Sequence, residues 1–411
     1  MIEDVSTPAI VLGCYKHGGL AVVRTLGRLG VPVYVVHDGW VTAGAFSRYC
    51  RGRFHWELNN AKPEASIQFL MQVHERIGRR ALLIPTSDIA AMFVADHAVQ
   101  LGAWFAFPEQ DAKLTRSLCS KKDMYYLARQ WNVPAPETAF PQSVDDVAVY
   151  LKTARFPVLL KPIIAGRKIW PITLVHSRQE LLEHYQAVED PLMPNVMLQE
   201  YIPGGDEMAW VFNGYFDRCG ECRVAFTGRK LRNYRPYFGM ASLGLCIHNE
   251  QVLNTTIAFM KAIGYRGPLD LGYRYDARDG CYKIYDINPR VGAMFRCFVG
   301  ANDMDVVRAL YQDMTGQAVV PATTVEGRKW VVEDCDWISA LRYWRDGKLT
   351  PRGWRDSLRG IAETSYIARD DLLPVVGAIA YAITVFFNRG RQLWRQSTEP
   401  TECMARQRPV A

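Results

Sequence analysis

The sequence has little that would mark it as fibrous, disordered or secreted. No internal repeat or low-complexity tract interrupts its 411 residues, and its 31 Gly and 22 Pro are scattered, which excludes collagen-like and coiled-coil chains. The opening MIEDVSTPAIVLG has two acids and a short apolar run, without the basic start and long apolar centre of a secretory signal, so cytoplasmic residence is expected. Ten Cys without dense spacing then read as reduced thiols packed as small hydrophobes. The CxxC formed by Cys219 and Cys222 has no second close pair and falls in an expected hairpin turn, which makes zinc an unneeded explanation. The eight His form no HExxH or other ligand spacing, and no Ser-His-Asp or Cys-His set suggests a covalent nucleophile. No block of Lys and Arg interleaved with aromatics occurs, so no nucleic-acid partner is expected. The net charge of +7 instead suits anionic small molecules or an anionic membrane face.

What is present is an alternation of apolar runs, glycine turns and periodic helices, and the length predicts roughly two to four domains. Residues 9–13 (AIVLG) read as a strand, followed by Gly18-Gly19, an apolar-periodic helix from Leu20 to Leu29 and a strand from Val31 to Val36, a βαβ opening. Gly13, Gly18 and Gly19 match a dinucleotide fingerprint loosely, since G-x-x-x-x-G-G is not G-x-G-x-x-G. A Rossmann oxidoreductase is therefore a rival reading. The same geometry can also offer helix N-terminal N–H groups to a carboxylate or phosphate. Ala81 to Ile84 runs into Pro85-Thr86-Ser87-Asp88 and a helix to Leu101; Ser87 and Asp88 fit a helix cap, at an edge where open α/β sheets bind ligands. From Ser120 come Lys121-Lys122, a helix to about Trp131, the linker NVPAPET and the strand Phe156 to Pro162, after which strands dominate. The expected class is α/β and α+β, with a Rossmann-like unit over 1–115, an α+β unit of two subdomains over 116–317 and a mostly helical C-terminal extension over 318–411.

The residues with chemistry are ordered along the chain. Lys121 precedes a helix and Lys161 ends an apolar strand; Glu200 and Glu207 follow, then Asp270, and then Asp286-Ile287-Asn288-Pro289-Arg290. Residues i and i+2 of a strand face the same way, so Asp286 and Asn288 point into one cleft. If the Arg278-Asp279-Gly280 region forms a three- or five-residue loop, Asp270 pairs opposite Asn288 or Asp286 on that face. Two carboxylates and an amide oxygen then converge, hard ligands that suit Mg²⁺ shared with substrate phosphates, with Mn²⁺ as an alternative ion. The bland reading is a salt network of Asp270, Asp286 and Arg290, and a solvated hairpin face for Arg229, Lys230, Arg232 and Arg235.

As a set, SK at 120–121 ahead of VPAPET, VLLKP at 158–162, QEYIPGGDE at 199–207 and LDLGYRYD with KIYDINPR at 269–290 resemble the ATP-grasp superfamily of carboxylate–amine ligases. The resemblance covers roughly residues 8–316 and is greatest to the D-aspartate ligase-like branch. It implies an ATP-grasp fold behind a Rossmann-like pre-ATP-grasp domain, and ligation through an acyl phosphate with release of ADP and phosphate. It further implies that Lys121 and Lys161 contact ATP, that Gln199, Glu200, Tyr201 and Ile202 form the adenine hinge, and that Glu207 takes the ribose hydroxyls. Asp270, Asp286 and Asn288 would hold metal, Lys230 and Arg232 would approach the triphosphate, and Arg290 would meet the acyl phosphate or the substrate carboxylate. Ser120 stands where relatives often have Asp, and IIAGRKIWP is a less Gly- and Ser-rich phosphate loop, leaving open a role for Arg167 or Lys168. The partners implied are a small carboxylate and an amine, amino-acid or peptide-like. The alternative of a different class is a nucleotide-binding scaffold or regulator without turnover.

After about Gly316 the chain becomes rich in Trp and Arg, then enters LLPVVGAIAYAITVFF, residues 372–387, without charge. As a helix this run would span about 24 Å, short of the roughly 20 residues a bilayer core needs. An all-round apolar helix must be buried, and the candidates are a core, a dimer partner or the inner face of a membrane, the trailing arginines favouring peripheral attachment. The last residues, STEPTECMARQRPVA, read as a polar tail.

Overall fold

The computed structural model describes residues 2–14, 17–39, 42–163, 172–234 and 239–380. Three sheets organise it. The short aliphatic runs Ala9–Leu12, Val33–His37 and Ala81–Pro85 form the centre of a five-stranded parallel sheet in the order Cys50–His55, Val33–His37, Ala9–Leu12, Ala81–Pro85, Phe105–Ala106, whose first edge strand, CRGRFH, is polar and only partly buried. Ala9–Leu12 is buried at every position, as a central strand covered on both faces must be. The strand order reverses between Ala9–Leu12 and Ala81–Pro85, which opens a crevice at their carboxyl ends, beside Gly13 and Thr86 to Asp88. The helix between the first two strands spans His17–Gly27, three residues earlier than its apolar periodicity suggested.

Alternating strands farther on build a four-stranded antiparallel sheet (Thr138–Ala139, Val196–Glu200, Val158–Pro162, Thr173–Val175) and a seven-stranded one. The larger sheet runs Cys281–Asn288, Gly267–Asp276, Ala209–Phe216, Cys222–Tyr234, Met240–Cys246, Lys329–Val331, Ile361–Thr364. One face of it packs on the N-terminal unit by way of the helices Val306–Met314 and His17–Gly27, so that Val211, Phe226 and Leu310 share one core with Val11, Val33 and Leu82. The other buries Phe212, Leu271, Tyr273 and Ile284 under Phe259 and Met124 of two helices. The four-stranded sheet has its own core around Val158, Leu160, Leu181 and Tyr185. The cleft lies between these two sheets.

The segment after residue 317 supplies two strands as well as the helices Glu333–Arg345 and Pro351–Ser357. Lys329–Val331 pairs with Met240–Cys246 because Trp330 and Val331 complete an apolar row that is buried there. The uncharged run from Leu372 is helical up to Ala380, and its remaining residues, 381–387, lie outside the described residues. It is not buried on every side. Pro374 and Gly377 pack inward, while Leu372, Leu373, Val376 and Ile379 are all more than half exposed. Among the described residues no helix is long and apolar enough to cross a membrane.

Candidate active site

The hairpin bearing the predicted metal acids has a register that the loop count alone does not give. Its turn holds four residues, 277–280, closed by the Asp276↔Cys281 pair, rather than the three or five expected. A bulge between Ile284 and Asp286 then shifts the pairing by one, so Gly272 stands opposite Asp286 and Asp270 opposite Asn288. The extra residue, Tyr285, lays its ring over Gly272, where a Cβ would lie 2.8 Å from the ring carbon Cζ. Without the bulge a four-residue turn would put Asp286 and Asp270 on opposite faces. With it, Asp270, Asp286 and Asn288 share one face, and so does Lys230 of the strand Cys222–Tyr234.

These side chains form one polar cluster. Asn288 Nδ2 donates to Asp286 Oδ2 at 3.2 Å and to Asp270 Oδ2 at 3.5 Å, while its Oδ1 accepts from Arg290 Nη2 at 2.9 Å. Lys121 pairs with the other oxygen of Asp286. Ser120 caps the helix Lys121–Gln130 by accepting the Asp123 N–H, so serine performs locally what an acid would at that position. Asp270 Oδ1 is buried and accepts no hydrogen bond, and burial pushes the carboxyl pKa up. Asp286 is half-buried, yet Lys121, Lys230 and the Asn288 amide outweigh burial and hold its pKa down. The loop after the hairpin passes close over Asp270, since a Cβ on Gly292 would sit 2.5 Å from its carboxylate.

The cavity beside this cluster has a volume of about 300 Å³ and is walled by both sheets. Leu159, Ile172, Met197, Ile202 and Ala209 make it apolar on one side; Lys121, Lys161, Lys230 and Arg274 make it cationic on the other. Lys161 Nζ donates to Gln199 Oε1 at 2.6 Å, and Gln199 Nε2 donates to Thr138 Oγ1 at 3.1 Å, so the two predicted nucleotide contacts hold each other. Burial first, and then the charge of Lys121, lowers the Lys161 pKa to about 8. Lys230 keeps a raised pKa, because Tyr285, Asp286 and Asp270 outweigh its burial. Glu200 and Tyr201 also line the cavity, although the Glu200 carboxylate is engaged by Arg278 at 2.5 Å.

Two predicted residues are placed elsewhere. The register slips again at Leu231, turning Arg232 to the helix Glu333–Arg345, where it is buried and bidentate to Asp336 at 2.8 and 3.1 Å. It belongs to a structural ion pair and does not line the cavity. Glu207 is exposed on a 3₁₀ turn, accepts the Gly205 N–H at 2.9 Å, and is likewise no part of the wall. Arg167, Lys168 and Arg235 lie outside the described residues.

Two residues were missed, and a third was seen without its partner. Arg274 is four residues beyond Asp270 on the same strand face, and its Nε donates to the Ile202 carbonyl at 2.8 Å, tying that segment to the sheet; the i, i+4 spacing in a strand was the available signal. Tyr285, as the bulge, left no signal. Asp88, noted at a ligand-binding sheet edge but given no partner, pairs with Arg290 Nε at 2.8 Å across the N-terminal crevice, while Ser87 alone caps the helix. Arg290 is thus shared between the N-terminal sheet and the acid cluster. The start of the helix His17–Gly27 packs closely on the loop after the hairpin, since a Cβ on Gly18 would lie 2.9 Å from Ala293 Cα. The N-terminal glycines therefore serve packing, against the dinucleotide reading. Cys219 sits exposed in a turn organised by Asp217, which accepts the Cys219 and Glu221 N–H groups.

No family model matches the sequence. A D-aspartate ligase of Enterococcus faecium (strain Aus0004) is 27% identical over 269 residues, 61% of this chain and 62% of that protein. The match thus spans less than two thirds of the relative's length. An L-amino acid ligase from Bacillus licheniformis superposes with a TM-score of 0.59 at 14% identity, over 78% of this chain and 75% of that one. The biotin carboxylase domain of 2-oxoglutarate carboxylase from Hydrogenobacter thermophilus, solved with MgADP, ADP and bicarbonate, gives 0.60 at 14% identity, over 79% and 73%. With the motifs of residues 120–290 on two facing sheets, the chain has the ATP-grasp fold.

Proposed function

We propose that the protein is an ATP-dependent ligase that joins a small carboxylate to an amine, with ADP and phosphate as products. The observation that supports this most is the convergence of Lys121, Lys161 and Lys230 on a cavity that runs into Asp286, Asp270, Asn288 and Arg290. The apolar side of the cavity suits a purine ring and the lysines suit its phosphates. Phosphorylating a carboxylate brings two anions together, which fixed cations must offset. In this reading Lys121 exchanges Asp286 for a phosphate oxygen, and Arg290 orients the carboxylate on the side of the N-terminal crevice. An amine then displaces phosphate from the acyl phosphate, forming the C–N bond. No protein nucleophile takes part.

The acid pair fits a hard divalent cation, because Asp270 keeps a buried oxygen with no donor and Asp286 lies beside it. Among the described residues no three His, Cys, Asp or Glu converge, so phosphate oxygens and water would complete the shell, as Mg²⁺ or Mn²⁺ accepts. Asn288 would ligate only after its amide turns, since its carbonyl oxygen now faces Arg290. When bound, the cation supplies charge neutralisation at the transferring phosphoryl group. Asp88 beside Arg290 offers an ammonium-binding carboxylate next to a carboxylate-binding guanidinium, which suits an amino acid, and the relative's name makes D-aspartate the first to try. Cytoplasmic ATP would supply the reaction.

The test is ADP release across a panel of amino acids and peptides, with the product mass determined. Release is expected only when carboxylate and amine are both present. Asp270→Asn should cut amide formation by at least about a hundredfold, the scale on which lost charge stabilisation is felt. No ADP release with any pair, while ATP still binds, would speak for a nucleotide-binding scaffold, and release that needs no amine would overturn the ligase reading.

A further inference from the structure

The helix Glu333–Arg345 is tied inward by its acids: Asp336 holds Arg232, and Glu333 accepts the N–H groups of Ser365, Tyr366 and Ile367. Its outer side is apolar. Trp337, Leu341 and Trp344 are 56%, 46% and 54% exposed, and with Leu349, Pro351 and Trp354 they line an open groove of about 290 Å³ with no charged wall. Trp354 forms its fixed floor, with Nε1 donating to Asp336 Oδ2 at 2.9 Å. The segment that carries most of the groove, residues 341–360, also holds Arg342, Arg345, Lys348, Arg352, Arg355 and Arg359, all exposed, against Asp346 and Asp356, and Asp334 is exposed one turn before Trp337. This stretch alone holds +4 of the chain's +7.

We propose that this tryptophan-lined, arginine-rich face docks the protein on an anionic lipid surface. The argument is charge complementarity joined to side-chain type. A groove for an uncharged water-soluble partner would not need this excess of exposed cations in its own segment, whereas indoles at headgroup depth and Arg or Lys toward anionic headgroups are what a membrane interface selects. A second exposed apolar row, Leu372, Leu373, Val376 and Ile379, begins a few residues beyond the Ser365–Ile367 amides bound by Glu333, so both faces leave one chain junction. The inference does not depend on the ligase reading.

The full chain is sedimented with vesicles of phosphatidylcholine alone and of phosphatidylcholine with an equal part of phosphatidylserine. Binding is expected to the mixed vesicles only, and to fall as salt rises. The double variant Trp337→Ala/Trp344→Ala should lose at least about tenfold in partitioning. Arg345→Glu/Arg355→Glu should lose about fivefold or more per cation and lose the salt dependence. A urea midpoint unchanged from the wild type in both variants shows that they are folded. The proposal is overturned if the wild type ignores mixed vesicles, or if the tryptophan variant binds as well as the wild type. It is also overturned if the wild type is a dimer that Trp337→Ala/Trp344→Ala separates, the groove then being filled by a second copy. A chain ending at Ala380 that binds where the full chain does not would assign the groove to the protein's own last residues and overturn the proposal as well.

Discussion

At the scale of single residues the site is governed by unequal burial of like groups. Lys121 and Lys230 face carboxylates, whereas Lys161 faces the neutral Gln199 amide and bears the cost of burial, which brings its pKa to about 8. The sign of the consequence is definite. In the free protein Lys161 is charged below about pH 8 and loses its proton above it, and a bound polyphosphate restores the charge. Nucleotide affinity is therefore expected to be level below pH 8 and to fall by up to about tenfold per unit above it, with a proton taken up on binding. Calorimetry in two buffers of different ionisation heat measures that uptake, and Lys161→Arg should abolish it. Uptake that persists in the variant would place the titrating group elsewhere.

At the scale of elements, two irregular pairings in one sheet decide which cations serve the cleft. The bulge at Tyr285 gathers the acids, and the slip at Leu231 sends Lys230 and Arg232 to different destinations. The two residues should consequently fail in different ways. Arg232→Ala leaves Asp336 buried without its guanidinium partner, a loss of about 3–5 kcal/mol for a broken buried pair. Lys230→Ala should leave the urea midpoint nearly unchanged and weaken ADP binding instead. Equal urea midpoints for the two variants, or nucleotide binding lost in Arg232→Ala while its stability holds, would reverse the assignment.

At the scale of the whole molecule, the C-terminal segment clasps the N-terminal unit. Asp371 is buried against Arg24 Nε at 2.9 Å, Ser47 Oγ at 2.7 Å and the Arg48 N–H at 2.9 Å, and Asp370 pairs with Arg28 at 2.8 Å. A chain ending at Arg369 would strand Arg24 in the interior, so it is expected to lose about 3–5 kcal/mol. A chain ending at Ala380 keeps the clasp and should unfold at the urea concentration of the full chain. Equal stability of both shortened chains would show that the clasp contributes nothing.

The sequence by itself determined the βαβ opening, the run of strands after residue 155 and the identity of most cleft residues. Those signals are local: aliphatic runs, helix caps and the side-chain alternation that puts Asp286 and Asn288 on one face. Lys121 and Lys161 were legible because one sits at a helix start and the other at a strand end, whereas Gln199 was named only through the family resemblance of its segment. Only the tertiary structure decided the rest. Whether Asp270 joins Asp286 depended on a bulge whose residue, Tyr285, is ordinary in type, and whether Arg232 served phosphate or Asp336 depended on a helix about a hundred residues later. Asp88 acquired its role from Arg290, 202 residues away in sequence. Register and long-range charge pairing are set by how sheets stack and what they leave exposed, and alternation along one strand carries no record of either.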